Sequence, residues 1–213
     1  AIVAFRGSEI WKKRVSFDLN EVVADLKTNI DIRLTDWEQG GKVHRGFKEA
    51  LDEFWPDLLP YIRKLTEKGC KIWVTGHSLG GALATLCGEL YGNVQGVYTF
   101  GSPWVGNEDF KENVSVKVYR IVNGQDIVSR LPSLGVFVYV GEVKFIDGDG
   151  IIRDEMDEKE YINEPPQDYS NGRQNADQPK KKPFEGFVPA PFRDHVPVLY
   201  AVHLWNNLIE NSQ

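Results

Sequence analysis

One serine between two glycines, in residues 76–80 (GHSLG), most constrains what this chain can fold into. Residues 71–75 before it are β-branched and aromatic, which is typical of a strand, and residues 82–87 after it are small residues and helix formers. A turn tight enough to join them forces unusual backbone angles on the serine and excludes side chains two positions either side. The pattern predicts strand, sharp turn and helix with the Ser78 hydroxyl at the apex, whereas a glycine-rich turn that merely contains a serine is the alternative.

The composition predicts a soluble globular protein with one domain spanning residues 1–213. Hydrophobic residues make up 41% of the chain and charged residues 26%. The net charge of −6 argues against a nucleic-acid partner and against strong attraction to anionic membranes, although neutral lipid is compatible with it. No apolar run approaches the ~20 residues of a transmembrane helix. Cys70 and Cys87 are expected to be buried thiols and not a disulfide.

The N-terminus is expected to be shortened, because residues 1–5 (AIVAF) have the character of a buried strand. No signal peptide precedes this strand, and a lost one would leave no trace, so the sequence favours neither secretion nor a cytoplasmic location. The oligomeric state is equally open.

Strand and helix patterns alternate along the chain, which predicts an α/β sheet. Apolar residues at helical spacing indicate a helix over residues 46–68, with Pro56 and Pro60 predicting a kink or a second helix near Pro56. Further strands are expected over residues 94–100, 116–122 and 135–146.

The end of the chain predicts a hairpin turn, a loop and a final helix. Residues 147–150 (DGDG) are expected to form the turn, because the offsets of a calcium-binding loop are absent. Residues 153–191 are polar and proline-rich and predict a loop. Residues 198–209 predict a helix with Val198, Val202, Trp205 and Ile209 on one face.

A serine nucleophile requires a base, and four histidines are available. His77 neighbours Ser78, and its side chain is expected to point away from it. His44 precedes the serine, whereas this type of turn goes with the chain order Ser, acid, His. His195 lies just before a predicted helix, where a loop can carry it over the sheet, and it is favoured over His203 within that helix.

The acid that orients the base is expected just after a strand, between Ser78 and His195. Asp126 follows the strand that ends at Val122 and is the preferred candidate, with ordinary turn chemistry after Asn-Gly as the alternative. Competitors are the aspartates that follow a later strand, namely Asp147, Asp149 and Asp154.

These residues resemble the class-3, fungal-type lipases of the α/β-hydrolase fold. The similar stretches are residues 1–8, 43–47, 76–84, 99–107, 126–132 and 194–200. The resemblance implies a mostly parallel central sheet flanked by helices and a triad of Ser78, Asp126 and His195. It also implies an oxyanion hole built from the amides of Ser8 and Leu79.

The chain departs from the family at Trp104, where Arg is common, and at Ser129, where Pro is common. It could form at most one disulfide, unlike the secreted fungal members. In the family a lid follows the oxyanion motif, which places it at residues 9–26, although an ordinary surface helix would give the same apolar pattern.

The sequence predicts a serine hydrolase that cleaves carboxylic esters, most consistent with a triacylglycerol lipase acting through an acyl-enzyme on Ser78. A lipid or other ester, met at a lipid–water interface, is the expected partner, and no metal or organic cofactor is implied. Two alternatives stay open: a phospholipase A1 or feruloyl-type esterase with the same triad, and a non-catalytic signalling module of the same fold.

Overall fold

A computed structural model describes residues 1–7, 33–132, 135–154 and 192–210. Its centre is a six-stranded sheet whose strands are, in spatial order, β1 (Ile2–Phe5), β4 (Trp73–His77), β5 (Gly96–Phe100), β6 (Val118–Asn123), β7 (Glu142–Ile146) and β8 (Ile152–Arg153). The four pairings from β1 to β7 are parallel, and β8 returns antiparallel to β7. The expected mostly parallel sheet is confirmed.

The other described elements flank this sheet. A small antiparallel pair, β2 (Leu34–Asp36) and β3 (Lys42–His44), leads directly into helix α1 (Arg45–Glu67). Helix α2 (Leu79–Tyr91) follows β4, the short helix α3 (Glu108–Asn113) follows β5, and helix α4 (Pro197–Glu210) comes last. A 3-10 turn (Val128–Arg130) lies after β6. Among the described helices none is long and apolar enough to cross a membrane.

Helix α2 forms the centre of the core, between the sheet and α1. Its small residues, such as Ala82 and Ala84, are fully buried, and they let the helix pack closely on β4 and β5. Against it α1 packs the apolar face that the sequence predicted, with Phe47, Leu51 and Ile62 buried. Burying each of these large side chains contributes ~1.5–3 kcal/mol.

Helix α1 runs unbroken through Pro56 and Pro60, so the expected second helix is absent from the described residues 45–67. Both prolines lie on the exposed side, four residues apart. Each removes one backbone donor, and the acceptors left without it, the carbonyls of Asp52 and Pro56, belong to exposed residues that water can reach. The helix therefore keeps its buried side intact.

Strand β1 forms where expected, but it is not buried. It is an edge strand of the sheet, paired only with β4 among the described strands, and the Ile2 side chain is 73% exposed. An apolar pentapeptide cannot distinguish a central strand from an edge strand, because both carry β-branched residues.

Two expectations near the chain's end need correction. The strand predicted over residues 135–146 begins only at Glu142 in the described part. Helix α4 forms, but its predicted apolar face is exposed, with Trp205 at 63%. Tyr200 and Asn207 are buried in its place. The Tyr200 hydroxyl binds Asp126 in the loop at the end of β6 (residues 123–127, the acid loop), and the Asn207 amide binds the β7–β8 turn.

The predicted hairpin turn is confirmed, and the prediction for the two cysteines is confirmed in part. Residues 147–150 form the turn of the β7–β8 hairpin, closed by the bond from the Asp147 amide to the Ile151 carbonyl. Cys70 and Cys87 are both free, as expected, but only Cys87 is buried, whereas Cys70 is half-buried. Burial raises the pKa of the Cys87 thiol to about 12. Of the predicted loop, residues 155–191 lie outside the described part of the chain, as does the expected lid at residues 9–26.

Candidate active site

The sharp turn at Ser78 is built by steric exclusion. Strand β4 ends at His77, helix α2 begins at Leu79, and Ser78 between them has φ 58° and ψ −130°. A side chain on Gly76 would place its Cβ 2.1 Å from the Gly80 carbonyl oxygen. One on Gly80 would lie 2.3 Å from the Phe5 carbonyl oxygen. These neighbours are backbone atoms that cannot rotate away, so both glycines are required, as the sequence predicted.

The structure brings Ser78, His195 and Asp126 together. The Ser78 Oγ lies 2.9 Å from His195 Nε2, and His195 Nδ1 lies 2.9 Å from both carboxylate oxygens of Asp126. Because an ionised carboxylate only accepts, Nδ1 carries the proton and the bare Nε2 accepts the serine hydroxyl. Ser78 and His195 are each 6% exposed, and Asp126 is fully buried. This is the arrangement of a nucleophile, a base and an orienting acid.

Asp126 is held ionised despite its burial. Burial alone would raise the pKa of its carboxyl, but the charge and hydrogen bond of His195 and the hydroxyl of Tyr200 hold that pKa below its usual value. Tyr200 donates to Asp126 Oδ2 at 2.5 Å, and the Val128 amide donates to Oδ1 at 2.9 Å. A buried carboxylate with three donors is stable in the charged form that the base requires.

The role of Tyr200 was not singled out from the sequence. Its hydroxyl also accepts the Asn123 amide at 3.1 Å, so it joins helix α4 to the end of β6 as well as to the acid. A tyrosine on a helix after a candidate base has no local pattern that distinguishes it from a core residue. Only the fold reveals this contact.

The segment that carries His195 (residues 192–196, the base segment) is bound to the acid loop through both the backbone carbonyl and the side chain of Asp194. The side-chain amide of Asn123 donates to the Asp194 carbonyl at 2.9 Å, and the Gln125 amide donates to the Asp194 carboxylate at 2.7 Å. These bonds fix the backbone directly before His195.

The nucleophile's neighbour also contacts the base segment. The His77 Nε2 lies 2.8 Å from the His195 carbonyl oxygen, and the two ring centroids are 4.5 Å apart. Burial, followed by the nearby charge of His195, lowers the pKa of His77 to about 4. His77 is therefore neutral near pH 7.

Gly101, after β5, lies against the side chains of Asp126, His195 and Tyr200. Its φ is +57°, and a Cβ there would lie 2.4 Å from Asp126 Oδ2, 2.9 Å from His195 Nδ1 and 3.0 Å from the Tyr200 hydroxyl. Only a glycine lets the acid and the base approach each other here.

The competing candidates lie elsewhere. His203 contacts the turn at Gly150, and His44 begins helix α1, where its Nδ1 accepts the Phe47 amide at 3.4 Å. Asp147 closes the hairpin turn by accepting the Asp149 and Ile151 amides. Asp154 pairs with Lys144 at 3.0 Å. None of these touches Ser78 in the described structure.

Within the described residues no cluster of three His, Cys, Asp or Glu side chains could hold a metal ion.

The two expected oxyanion donors differ in what the structure describes. Leu79 is the first residue of α2, and amides of the first helical turn have no partner within the helix. Ser8 lies outside the described residues. Gly7 before it is described, and its Cβ position lies only 2.7 Å from the His77 carbonyl oxygen, so the backbone leaving β1 passes beside the turn.

Comparison with solved structures shows the same fold. The chain is similar to the triacylglyceride lipase of Rhizomucor miehei, with 29% identity and a TM-score of 0.58 over 71% of this chain and 58% of that one. It is also similar to a triacylglycerol lipase whose catalytic centre is described as a serine-protease triad. There the identity is 31% and the TM-score 0.52, over 62% of this chain and 54% of that one. The fold is thus that of the α/β-hydrolases.

Comparison of sequences identifies the family. A secreted mono- and diacylglycerol lipase of Fusarium solani is 36% identical over 138 residues, which are 56% of this chain and 41% of that protein. The chain thus spans about two fifths of that relative's length. The model of the class 3 lipases matches residues 2–136, a stretch that contains Ser78 and Asp126 and ends before His195. With the family matched over more than half of its length, this chain belongs to the class 3 lipases.

Proposed function

We propose that this protein hydrolyses carboxylic esters of lipids, with Ser78 as nucleophile, His195 as base and Asp126 as orienting acid. One observation carries the proposal: an unbroken hydrogen-bond chain runs from the Ser78 hydroxyl through both nitrogens of His195 to a buried carboxylate. A serine hydroxyl is a weak nucleophile alone, and this arrangement is what activates it.

The reaction begins when the Ser78 oxygen attacks the ester carbonyl and its proton moves to His195 Nε2. Asp126 stabilises the imidazolium without taking its proton. The oxyanion is met by the Leu79 amide at the start of α2 and, on the family's pattern, by the amide of Ser8. Each such donor contributes ~3–4 kcal/mol to catalysis in comparable sites. His195 then protonates the departing alcohol, and water cleaves the acyl-enzyme by the same steps in reverse.

Acylglycerols are the proposed substrate class. The Fusarium relative is named a mono- and diacylglycerol lipase, and the Rhizomucor structure is that of a triacylglyceride lipase. Membership of the same family supports the same class of ester here, met at a lipid–water interface.

Covalent labelling tests the nucleophile. A fluorophosphonate should label the protein at one serine, Ser78, and Ser78→Ala should abolish the labelling. Ser115→Ala is the matched control, because Ser115 is exposed and its hydroxyl bonds to Glu89 and not to a triad residue. Labelling at another serine would contradict the assignment.

A substrate panel tests the class of ester. Emulsified tributyrin and triolein, a phosphatidylcholine, a feruloyl ester and p-nitrophenyl butyrate should be compared at equal enzyme concentration. The proposal expects the highest turnover on an acylglycerol. Preference for the phospholipid or the feruloyl ester would replace it with the corresponding esterase, and no turnover of any ester together with no labelling would favour a non-catalytic module.

A further inference from the structure

The half-buried His77 ring is the strongest feature that the proposed mechanism does not use. His77 is the last residue of β4, directly before Ser78. Its Nε2 lies 2.8 Å from the carbonyl oxygen of His195, 118 residues away in sequence. The nucleophile's strand and the base's segment are thus joined by a second contact beside the one between Ser78 and His195.

The partner atom fixes the protonation of the His77 ring. A carbonyl oxygen has no proton to give, so the His77 Nε2 must carry the hydrogen and donate it. Nδ1 is then the bare nitrogen of a neutral ring. The titratable groups that face this ring are the His195 imidazole and the Asp126 carboxylate, and the Tyr200 ring packs against it edge-on at 5.7 Å.

Neutrality of His77 matters because of what packs against it. Its centroid is 4.5 Å from that of His195, which becomes positively charged when it takes the Ser78 proton. A second positive ring at that distance would oppose the transfer, whereas a neutral one does not. Burial disfavours the charged form of His77, so the ring is neutral near pH 7.

The contact also restrains the backbone around His195 from a second structural element. Asn123 and Gln125 bind Asp194 from the acid loop, and His77 binds the next carbonyl from the nucleophile strand. Since misplacement by ~1 Å can cost ~100-fold in rate, a bond that ties the base's own peptide to the nucleophile's strand is placed where accuracy matters most.

We infer that His77 is a positioning residue, which holds the His195 imidazole at hydrogen-bonding distance from Ser78 by donating its Nε2 proton to the His195 carbonyl. This inference rests on the proposed function, because it takes Ser78 and His195 as nucleophile and base.

Two substitutions separate the donor from the ring. His77→Phe keeps an aromatic ring and removes the donor, and kcat on p-nitrophenyl butyrate should fall ~10- to 100-fold with KM unchanged. His77→Gln carries an amide donor at about the position of Nε2 and should recover most of the loss. His203→Phe is the matched control, a half-buried histidine on α4 away from the triad, and it should leave kcat unchanged.

Wild-type kcat in His77→Phe would overturn the inference, as would equal losses in the Phe and Gln variants. The wild-type protein gives an independent test that needs no variant to fold. In ¹⁵N-labelled protein, His77 should show a protonated Nε2 and a bare Nδ1, unchanged between about pH 5 and pH 8. A bare Nε2, or titration within that range, would overturn the inference whatever the activity.

Failure of the proposed function gives a different result. A wild-type protein that neither reacts with a fluorophosphonate nor turns over an ester would refute the catalytic roles of Ser78 and His195. The protonation state of His77 would then still report whether its hydrogen bond exists.

Discussion

The turn at Ser78 and the segment that carries His195 are positioned by different kinds of force. The turn is fixed by backbone atoms in contact: Gly80 leaves 2.3 Å between a would-be Cβ and the Phe5 carbonyl. The segment that carries His195 is fixed by side-chain hydrogen bonds from Asn123 and His77, and Tyr200 on the helix after it donates to Asp126. Steric exclusion tolerates no substitution, whereas hydrogen bonds can be removed singly. The two regions should therefore fail differently when changed.

The largest expected effect separates activity from stability. Ser78→Ala and His195→Ala should each lower kcat by ~10⁴- to 10⁶-fold, because the members of a triad act as a unit. Only His195→Ala should also lower the free energy of unfolding, since it removes a partner of the buried Asp126 carboxylate. Ester turnover and urea unfolding of both variants measure this. Equal stability of the two would contradict the proposed difference between the regions.

A methyl group added to the turn at Ser78 should act mainly on the free energy of unfolding and less on the catalytic rate of the folded protein. Gly80→Ala forces a Cβ into the Phe5 backbone and should cost ~3–5 kcal/mol of unfolding free energy. Gly96→Ala is the control, because its Cβ would meet only ordinary contacts, 3.5 Å from the Trp73 ring. Denaturant midpoints should fall for the first variant and stay close to wild type for the second. A stable Gly80→Ala would show that the turn can relax.

Removing the Tyr200 hydroxyl should weaken the attachment of helix α4 to the acid loop without unfolding the protein. Tyr200→Phe takes one donor from Asp126 and one acceptor from the Asn123 amide, so unfolding free energy should fall by ~1–2 kcal/mol and kcat by about tenfold. The pKa of Asp126 should rise toward its ordinary value.

The pH dependence of that variant follows from the direction of the shift. A carboxyl whose pKa is lower in the folded than in the unfolded state stabilises the fold above its unfolded pKa, and this contribution is lost as the pH falls. Tyr200→Phe reduces the shift, so its stability deficit should be full near pH 7 and shrink toward about pH 3. Urea midpoints across that range measure it, and a deficit independent of pH would show that Tyr200 acts by packing alone.

The smallest effect should come from the far part of α4. Asn207 donates to the Gly150 carbonyl and accepts the Ile152 amide, which holds the β7–β8 hairpin and touches no triad residue. Asn207→Ala should cost ~1–2 kcal/mol of stability while kcat per folded molecule stays unchanged. A loss of kcat would mean that the hairpin controls the position of His195.

The sequence predicted the parts of the site that depend on local sterics. The strand before Ser78, the helix after it and the need for glycine at Gly76 follow from residues within a few positions of one another, whereas Gly80 also faces the backbone of Phe5 in β1. Asp126 and His195 were reached through chain order and position after a strand and before a helix, and the structure brings both to Ser78.

What the sequence did not predict depends on distant contacts. The contact of Tyr200 with Asp126 spans 74 residues, and that of His77 with His195 spans 118. The apolar pattern of α4 suggested the wrong buried face, because hydrogen bonds of Tyr200 and Asn207 outweigh the packing of Val198 and Trp205. The periodicity of a helix shows which face is apolar, but it does not show which face is buried by contacts with the rest of the fold.

The long separation of Ser78 from His195 has a consequence for how the enzyme is made. The chain emerges from the ribosome N-terminus first, so the turn, built from local contacts and β1, can form long before His195 exists. On the proposed mechanism the nascent protein carries an unactivated serine until the last part of the domain has been synthesised and docked. On that mechanism its ester chemistry begins only with the closure of a contact that spans more than half of these 213 residues, so activity reports that Ser78 and His195 have been brought together.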